Sequence, residues 1–372
     1  MMKEGEHLVV SAPGKVILHG EHAVVHGKRA LACSLNLRTY LHVTPSTDGM
    51  VRMNLPDINI YREWKVEDLT RLFANKTQSE EVSLPPVYPP VDRFNSLCEI
   101  IGLDFMVSSN LPTSAGLGSS AAFAVALVSS LLKLSNQISD PGTQSFNPWT
   151  GDHLEVINGW AFIAEKIIHG NPSGVDNSVS TYGGIVKYQN KALERLSCKH
   201  ELSVIITNTK VPRSTKHMVS NVADKLKQYP TVINPVLDAV EAISQRCQDE
   251  LTSTESLDDS VIRDMMSANH ALLCVLGVNH PAIEKVCRMT HDHGLTSKLT
   301  GAGGGGCVIT FLPAETPEEK TQDIISQLTN QGYECWKTLV GGPGVGLHFG
   351  EPNTDFIIPT ALQSRAKLCH IL

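Results

Sequence analysis

Four consecutive glycines, Gly303-Gly304-Gly305-Gly306, stand between a stretch of helical periodicity and the β-branched run Cys307-Val308-Ile309-Thr310. Each glycine inside regular structure costs about 1 kcal/mol relative to alanine. A flexible surface linker tolerates that cost, whereas a loop packed between two regular elements uses the glycines for close approach to a ligand or to another stretch of backbone. With 28 glycines and only 5% aromatic residues, the chain suits an α/β-type protein with several such approaches better than an aromatic-rich binding sheet.

A second small-residue loop, Leu111-Pro112-Thr113-Ser114-Ala115-Gly116-Leu117-Gly118-Ser119-Ser120-Ala121-Ala122, opens a helical pattern over 119–134. Small side chains let backbone N–H groups reach an anion, and a helix start adds positive potential there. A hydroxyl of Ser119 or Ser120 has two uses, capping the helix or ligating Mg2+. No Gly-Lys-Ser/Thr ends the loop, so it is not a Walker A motif. Gly116, Gly118 and Ala121 do satisfy a dinucleotide fingerprint, with Asp140 about 20 residues on. Asp140, however, follows the polar stretch 135–139 with no second strand to present it.

Two further segments carry charge. In Ser11-Ala12-Pro13-Gly14-Lys15 the Pro-Gly pair predicts a turn, and Lys15 follows as a point cation among apolar strand residues. In Glu165-Lys166-Ile167-Ile168-His169-Gly170-Asn171-Pro172-Ser173-Gly174-Val175-Asp176-Asn177, one carboxylate lies near a helix end and another after a turn-rich loop. Beside phosphates, one carboxylate can hold Mg2+ and the other can take a proton from an attacking hydroxyl. Taken singly, Asp176 is equally a helix cap and Glu165 a solvated helix residue.

The first hundred residues read mostly as strands: 8–10, 16–18, the alternating run 35–43, and 51–55. Proline, serine and glutamate over 76–90 mark an exposed connection. Beyond a strand at 104–108, helices are expected over 119–134, 152–168, 215–228, 232–247, 260–276, 281–293 and 317–331. Strands are expected near 184–186, 202–207, 307–312, 335–340 and 345–349. The 372 residues allow two domains, divided near 190–210.

Composition excludes several classes. The formal charge of −7 and the absence of a Lys/Arg run argue against general nucleic-acid binding. Nine scattered cysteines without a CxxC pair indicate neither a disulfide framework nor a zinc ribbon. The longest apolar run, near 121–132, is too short to span a bilayer, and residues 1–7 do not read as a secretory signal. His19, Glu21, His22 and His26 suggest a metal cluster only superficially, because strand spacing points His19 and His22 to opposite faces.

Three motifs in order, PGKVILHGEH, LPTSAGLGSSAA and KLTGAGGGGC, resemble the GHMP kinases, named for galactokinase and the homoserine, mevalonate and phosphomevalonate kinases. The words SAPGKVILHGEHAVVH (11–26) and IHGNPSGVDN (168–177) are most similar to the animal mevalonate branch of that family. The resemblance implies an α+β fold of two domains. A mixed α/β N-terminal domain over 1–200 would bind ATP and substrate, and a ferredoxin-like C-terminal domain would span 201–372. It implies phosphorylation of the primary hydroxyl of mevalonate by ATP, with Mg2+, in isoprenoid and sterol synthesis. Asp176 would be the general base and Lys15 its neighbour. Ser120 and Glu165 would ligate Mg2+. Ser114, Ala115, Gly116, Leu117, Gly118, Ser119 and Ser120 would cradle the phosphates, with Asp57 and Ser109 near the nucleotide. Glu21, His22 and Thr215 would face mevalonate. A homodimer, a cytoplasmic location and feedback inhibition by prenyl diphosphates belong to the same expectation.

The chain departs from that pattern in places. Ser114 and Asp57 stand where the resemblance leads one to expect Gly and Asn. The segment 67–104 is short, and the apolar helix expected before the second motif is not evident, although 95–103 offers a brief one. Sister activities (phosphomevalonate or homoserine kinase), a non-catalytic nucleotide-binding relative and an oxidoreductase remain as alternative readings. Lys15, Val16, His22 and Ala23 also fit a peroxisomal address pattern, but they already belong to the expected site.

Overall fold

A computed structural model describes residues 7–76, 102–112, 115–170, 172–198 and 200–349. The short segment 67–104 and the brief helix over 95–103 therefore lie largely outside the described residues, as does Ser114. The first half runs β1 (Leu8–His19), β2 (Ala30–Pro45), β3 (Met50–Leu55), β4 (Ile60–Lys65), α1 (Val66–Lys76), β5 (Leu103–Ser109), α2 (Ser119–Leu134), β6 (Phe146–Pro148), α3 (Asp152–His169), α4 (Val175–Tyr182), β7 (Ile185–Gln189) and β8 (Ala192–Leu196). The second half runs β9 (Leu202–Asn208), α5 (Thr215–Gln228), α6 (Pro230–Thr252), α7 (Asp259–Leu276), α8 (Pro281–Asp292), β10 (Thr296–Leu299), β11 (Cys307–Leu312), α9 (Glu318–Asn330), β12 (Glu334–Val340) and β13 (Gly346–His348). The arrangement is α+β, as expected.

The strands join in the order β10-β11-β9-β12-β2-β1-β13-β6. The long strand β2 is the hub. Its first residues pair β7, its last pair β5, and Leu35 between them meets Val340 of β12. The division expected near residue 200 falls in the β8–β9 connection, yet β13 returns to pair β1 and β6. Among the described residues no helix is long and apolar enough to cross a membrane, and the described cysteines are free.

Local chemistry explains the elements that carry the site. Helix α2 is apolar around most of its surface and packs on β1, β2, α3 and α4. Its alanines allow that crowding, and the interrupting Ser129 and Ser130 donate back to the Val125 and Ala126 carbonyls at 2.8 Å each. The Pro13-Gly14 pair does not form the expected turn. Instead β1 is continuous, and its register against β2 shifts there, from Pro13 opposite Arg38 to Gly14 opposite Leu35. A bulge tolerates the proline's missing N–H. Gly14 is needed for proximity, since a Cβ would sit 2.7 Å from the Leu117 carbonyl oxygen.

Candidate active site

The bulge brings Lys15 against the small-residue loop. Its N–H donates to the Leu117 carbonyl at 2.8 Å, and Ala115 and Leu117 turn their side chains into the core. Gly118 then caps α2 with φ +73°, where a Cβ would meet Lys15 Cγ at 2.9 Å. No side chain caps this helix. Ser119 and Ser120 are its first residues rather than its cap, so the first-turn N–H groups are left for an anion.

On the far side of Lys15 stands Asp176, in the first turn of α4. Lys15 Nζ lies 3.2 Å from Asp176 Oδ1, with side chains 12% and 39% exposed. Glu165 and His169 are one turn apart at the end of α3. Ser120 Oγ is 3.5 Å from Glu165 Oε2 and 3.0 Å from His169 Nε2. Burial raises the Glu165 carboxyl above its ordinary range; His169 opposes that shift and Asp176 adds to it. Its Oε1 is buried with no hydrogen-bond partner among the described residues.

These groups line a cleft of about 700 Å³ that also takes in Gly116, Gly118, Arg213, Gly301 and Ala302. A second cleft, of about 680 Å³, adjoins it and is walled by Ile17, Val24, Ala32, Val175 and Tyr188. Lys15, Ser173, Asp176 and Thr215 line both clefts. Two clefts of similar size, the first edged by Ser119, Ser120, Glu165 and Arg213 and the second by mostly apolar side chains, thus share one cation–carboxylate pair.

The two halves of the chain meet at this boundary. Arg213 donates to the Ala115 carbonyl at 3.1 Å and to the Thr300 carbonyl at 3.3 Å, tying the small-residue loop to the loop 300–306. Thr300 Oγ1 donates to the Ile17 carbonyl at 2.8 Å. Two of the four glycines serve backbone contact: a Cβ on Gly303 would sit 2.0 Å from the Val278 oxygen, and one on Gly305 2.7 Å from the Val211 oxygen, while Gly304 and Gly306 make room for the Met218 and Arg213 side chains.

The expected site residues do not all assemble. Glu21 is fully buried against Lys298, and its second oxygen accepts from Asn269 Nδ2 at 3.0 Å. His22 Nε2 pairs with the Ala302 carbonyl at 2.9 Å. Both residues join the halves behind the clefts and line neither. Asp57 accepts from the Ser109 N–H at 2.9 Å, and Ser109 Oγ pairs with Thr39 Oγ1 at 2.8 Å. These two likewise lie apart from the cleft linings. Asp140 pairs with Lys133 at 2.8 Å, and no strand presents it to the Gly116 loop. Sequence reading missed His169 and Arg213. The available signals were the i,i+4 spacing of His169 from Glu165 and the nearness of Arg213 to Thr215.

Comparison with known proteins agrees with this architecture. The sequence matches the GHMP kinases N terminal domain model over residues 90–184 and the GHMP kinases C terminal model over 252–334. It also matches a galactokinase galactose-binding signature over 2–45. The mevalonate kinase of Mus musculus is 41% identical over 377 residues, covering 92% of this chain and 95% of that protein. Those 377 aligned positions exceed the 372 residues here, so the relative carries insertions that this chain lacks. The crystal structure of Methanococcus jannaschii mevalonate kinase superposes with a TM-score of 0.70 at 23% identity, covering 90% of this chain and 99% of that one. That of L. major mevalonate kinase in complex with R-mevalonate gives 0.69 at 22%, covering 92% and 100%.

Proposed function

The chain belongs to the mevalonate kinases of the GHMP kinase family, and we propose that its paired clefts hold ATP on one side of Lys15 and Asp176 and mevalonate on the other. It is an enzyme that transfers a phosphoryl group from ATP to the primary hydroxyl of mevalonate. The observation that carries the placement is the sharing of Lys15 and Asp176 by both clefts.

Phosphoryl transfer asks for positioning and charge neutralisation more than for covalent chemistry. The open N-terminus of α2, with Gly116, Gly118 and Ser119, receives the phosphates. Asp176, in the first turn of α4, takes the proton from the attacking hydroxyl. Lys15, at 3.2 Å, keeps that carboxylate aimed and opposes charge that builds on the transferring group. Thr215 borders both substrates. Glu21 and His22 act at one remove, by holding the wall of the cleft to β10 through Lys298 and to the loop 300–306 through Ala302.

The residues present fit Mg2+. The partnerless Glu165 Oε1 and the Ser120 hydroxyl are the hard oxygen donors this ion takes. Bound there, Mg2+ would offset phosphate charge during transfer. His169 orients both ligands through its contacts to Ser120 and Glu165. Homodimerisation, a cytoplasmic location and inhibition by prenyl diphosphates are supported by family membership alone.

The test is ADP release by the purified protein with mevalonate, phosphomevalonate or homoserine as acceptor. Turnover with mevalonate alone is expected. A preference for either other acceptor, or no acceptor-dependent release, contradicts the reading.

A further inference from the structure

Outside both clefts, three ligand-type atoms on α7 and α8 converge. His270 Nε2 lies 3.2 Å from Glu284 Oε1, Cys274 Sγ lies 3.6 Å from the same oxygen, and Sγ and Nε2 are 3.8 Å apart. His270 and Cys274 are one turn apart and share a face of α7. Glu284 sits in the first turn of α8, whose start is fixed by Pro281 and by the His280 ring accepting from the Ala282 N–H at 3.1 Å. Rigid elements therefore set all three positions.

A nucleophilic triad would place the thiol on one ring nitrogen and the acid on the other. Here both face Nε2, while Nδ1 accepts from the Leu299 N–H at 3.4 Å. The pattern is convergence on a point rather than a relay. Tetrahedral zinc, with bonds of about 2.3 Å to sulfur and about 2.0–2.1 Å to nitrogen and oxygen, spaces its ligands about 3.3 Å apart for N and O and about 3.5 Å from S to either. The measured separations follow that triangle to within a few tenths of an ångström.

We infer that His270, Cys274 and Glu284 form a site for a thiophilic divalent cation of the Zn2+ type, with the fourth position open to solvent. Thiolate and carboxylate balance the charge of the ion. Asn279 Nδ2 donates to Glu284 and, at 3.1 Å, to Cys274 Sγ, which supplies the outer hydrogen bonding that orients such ligands. The Glu284 side chain is half exposed and gives the ion its way in. Sulfur and imidazole select against the hard Mg2+ proposed at Glu165. On loading, the Cys274 thiol proton goes to solvent and the Nε2 hydrogen moves to Nδ1, so the ring stays neutral and its contact with the Leu299 N–H opens. Leu299 directly precedes Thr300, whose carbonyl Arg213 holds, so occupancy reaches the edge of the cleft.

The experiment titrates the reduced, chelator-treated full chain with Co2+ as the optical probe, in the absence of nucleotide. A stoichiometric near-ultraviolet thiolate-to-cobalt band is expected, displaced by Zn2+ and untouched by millimolar Mg2+. Cys274→Ser should abolish the band. Glu284→Gln, at a half-exposed position that leaves folding intact, should weaken Co2+ binding by at least about tenfold. No band with excess Co2+, a band that persists in Cys274→Ser, a Glu284→Gln variant binding as the parent does, or displacement by Mg2+ would each overturn the assignment.

Discussion

Lys298 Nζ and a carboxylate oxygen of Glu21 form an ion pair in which neither side chain has any solvent exposure. Burial pushes the Glu21 carboxyl up and Lys298 pulls it back down, with Asn269 helping. The pair joins β10 to the turn that follows β1, and so holds the second half of the chain against the wall of the clefts. Removing one partner of a buried pair typically costs about 3–5 kcal/mol, whereas replacing both can be nearly neutral. Lys298→Met or Glu21→Gln should therefore lower the urea midpoint sharply, and Lys298→Met with Glu21→Leu should recover most of the loss. Additive losses in the double variant would contradict this account of the pair.

Gly116 sits at φ +78° with Arg213 Nη2 only 2.0 Å from where a Cβ would be. Gly116→Ala must displace the guanidinium that ties Ala115 to Thr300 and must also adopt a left-handed backbone. Strain of about 1–3 kcal/mol is expected in the phosphate loop, read as a rise in KM for ATP with KM for mevalonate little changed. Equal rises in both constants would show that the loop serves both substrates.

The Mg2+ assignment separates two residues from their neighbours. Ser120→Ala and Glu165→Gln should each raise the Mg2+ concentration needed for half-maximal rate, because each removes a hard oxygen ligand or its charge. An unchanged Mg2+ titration in both variants would take them out of the metal shell.

Acid stability should report two histidines, the buried His348 and the half-buried His42. Burial, with Arg38 and His42 facing it, holds the His348 imidazole down at about 3, and burial with His7 nearby holds His42 at about 4. For both bases the folded pKa lies below the unfolded value of about 6.5. The stability they contribute is complete above that value and is lost as pH falls toward 3, because the unfolded chain takes up protons first. Each can contribute a slope of up to about 1.4 kcal/mol per pH unit. His348→Gln, which can keep a bond to Ser11 Oγ, should flatten the fall between pH 6 and 4. A profile as steep as the parent's would contradict the assignment.

Periodicity and loop chemistry made much of this legible. Helix α2 begins at Ser119 and β11 at Cys307 as the sequence reading expects, because local apolar spacing and small-residue loops fix such elements. The short elements β4, β8 and α4 escaped it, since few residues carry their pattern. The Pro13-Gly14 bulge escaped it too. Its conformation depends on pairing with β2 and on the approach of Leu117, neither of which is local. The role of Glu21 was hidden for the same reason, because its cation lies 277 residues away. His169 and Arg213 carry ordinary local signals and acquire meaning only beside Glu165 and Ala115.

Asp176 carries the central claim. Asp176→Asn keeps the side chain's shape beside Lys15 while removing the proton acceptor and its charge. Measured as mevalonate-dependent ADP release together with nucleotide binding, the variant should lose about 10²–10⁴ in kcat with affinity for Mg·ATP nearly intact. A kcat within about tenfold of the parent's would contradict Asp176 as the base, and with it the placement of the reaction between the two clefts.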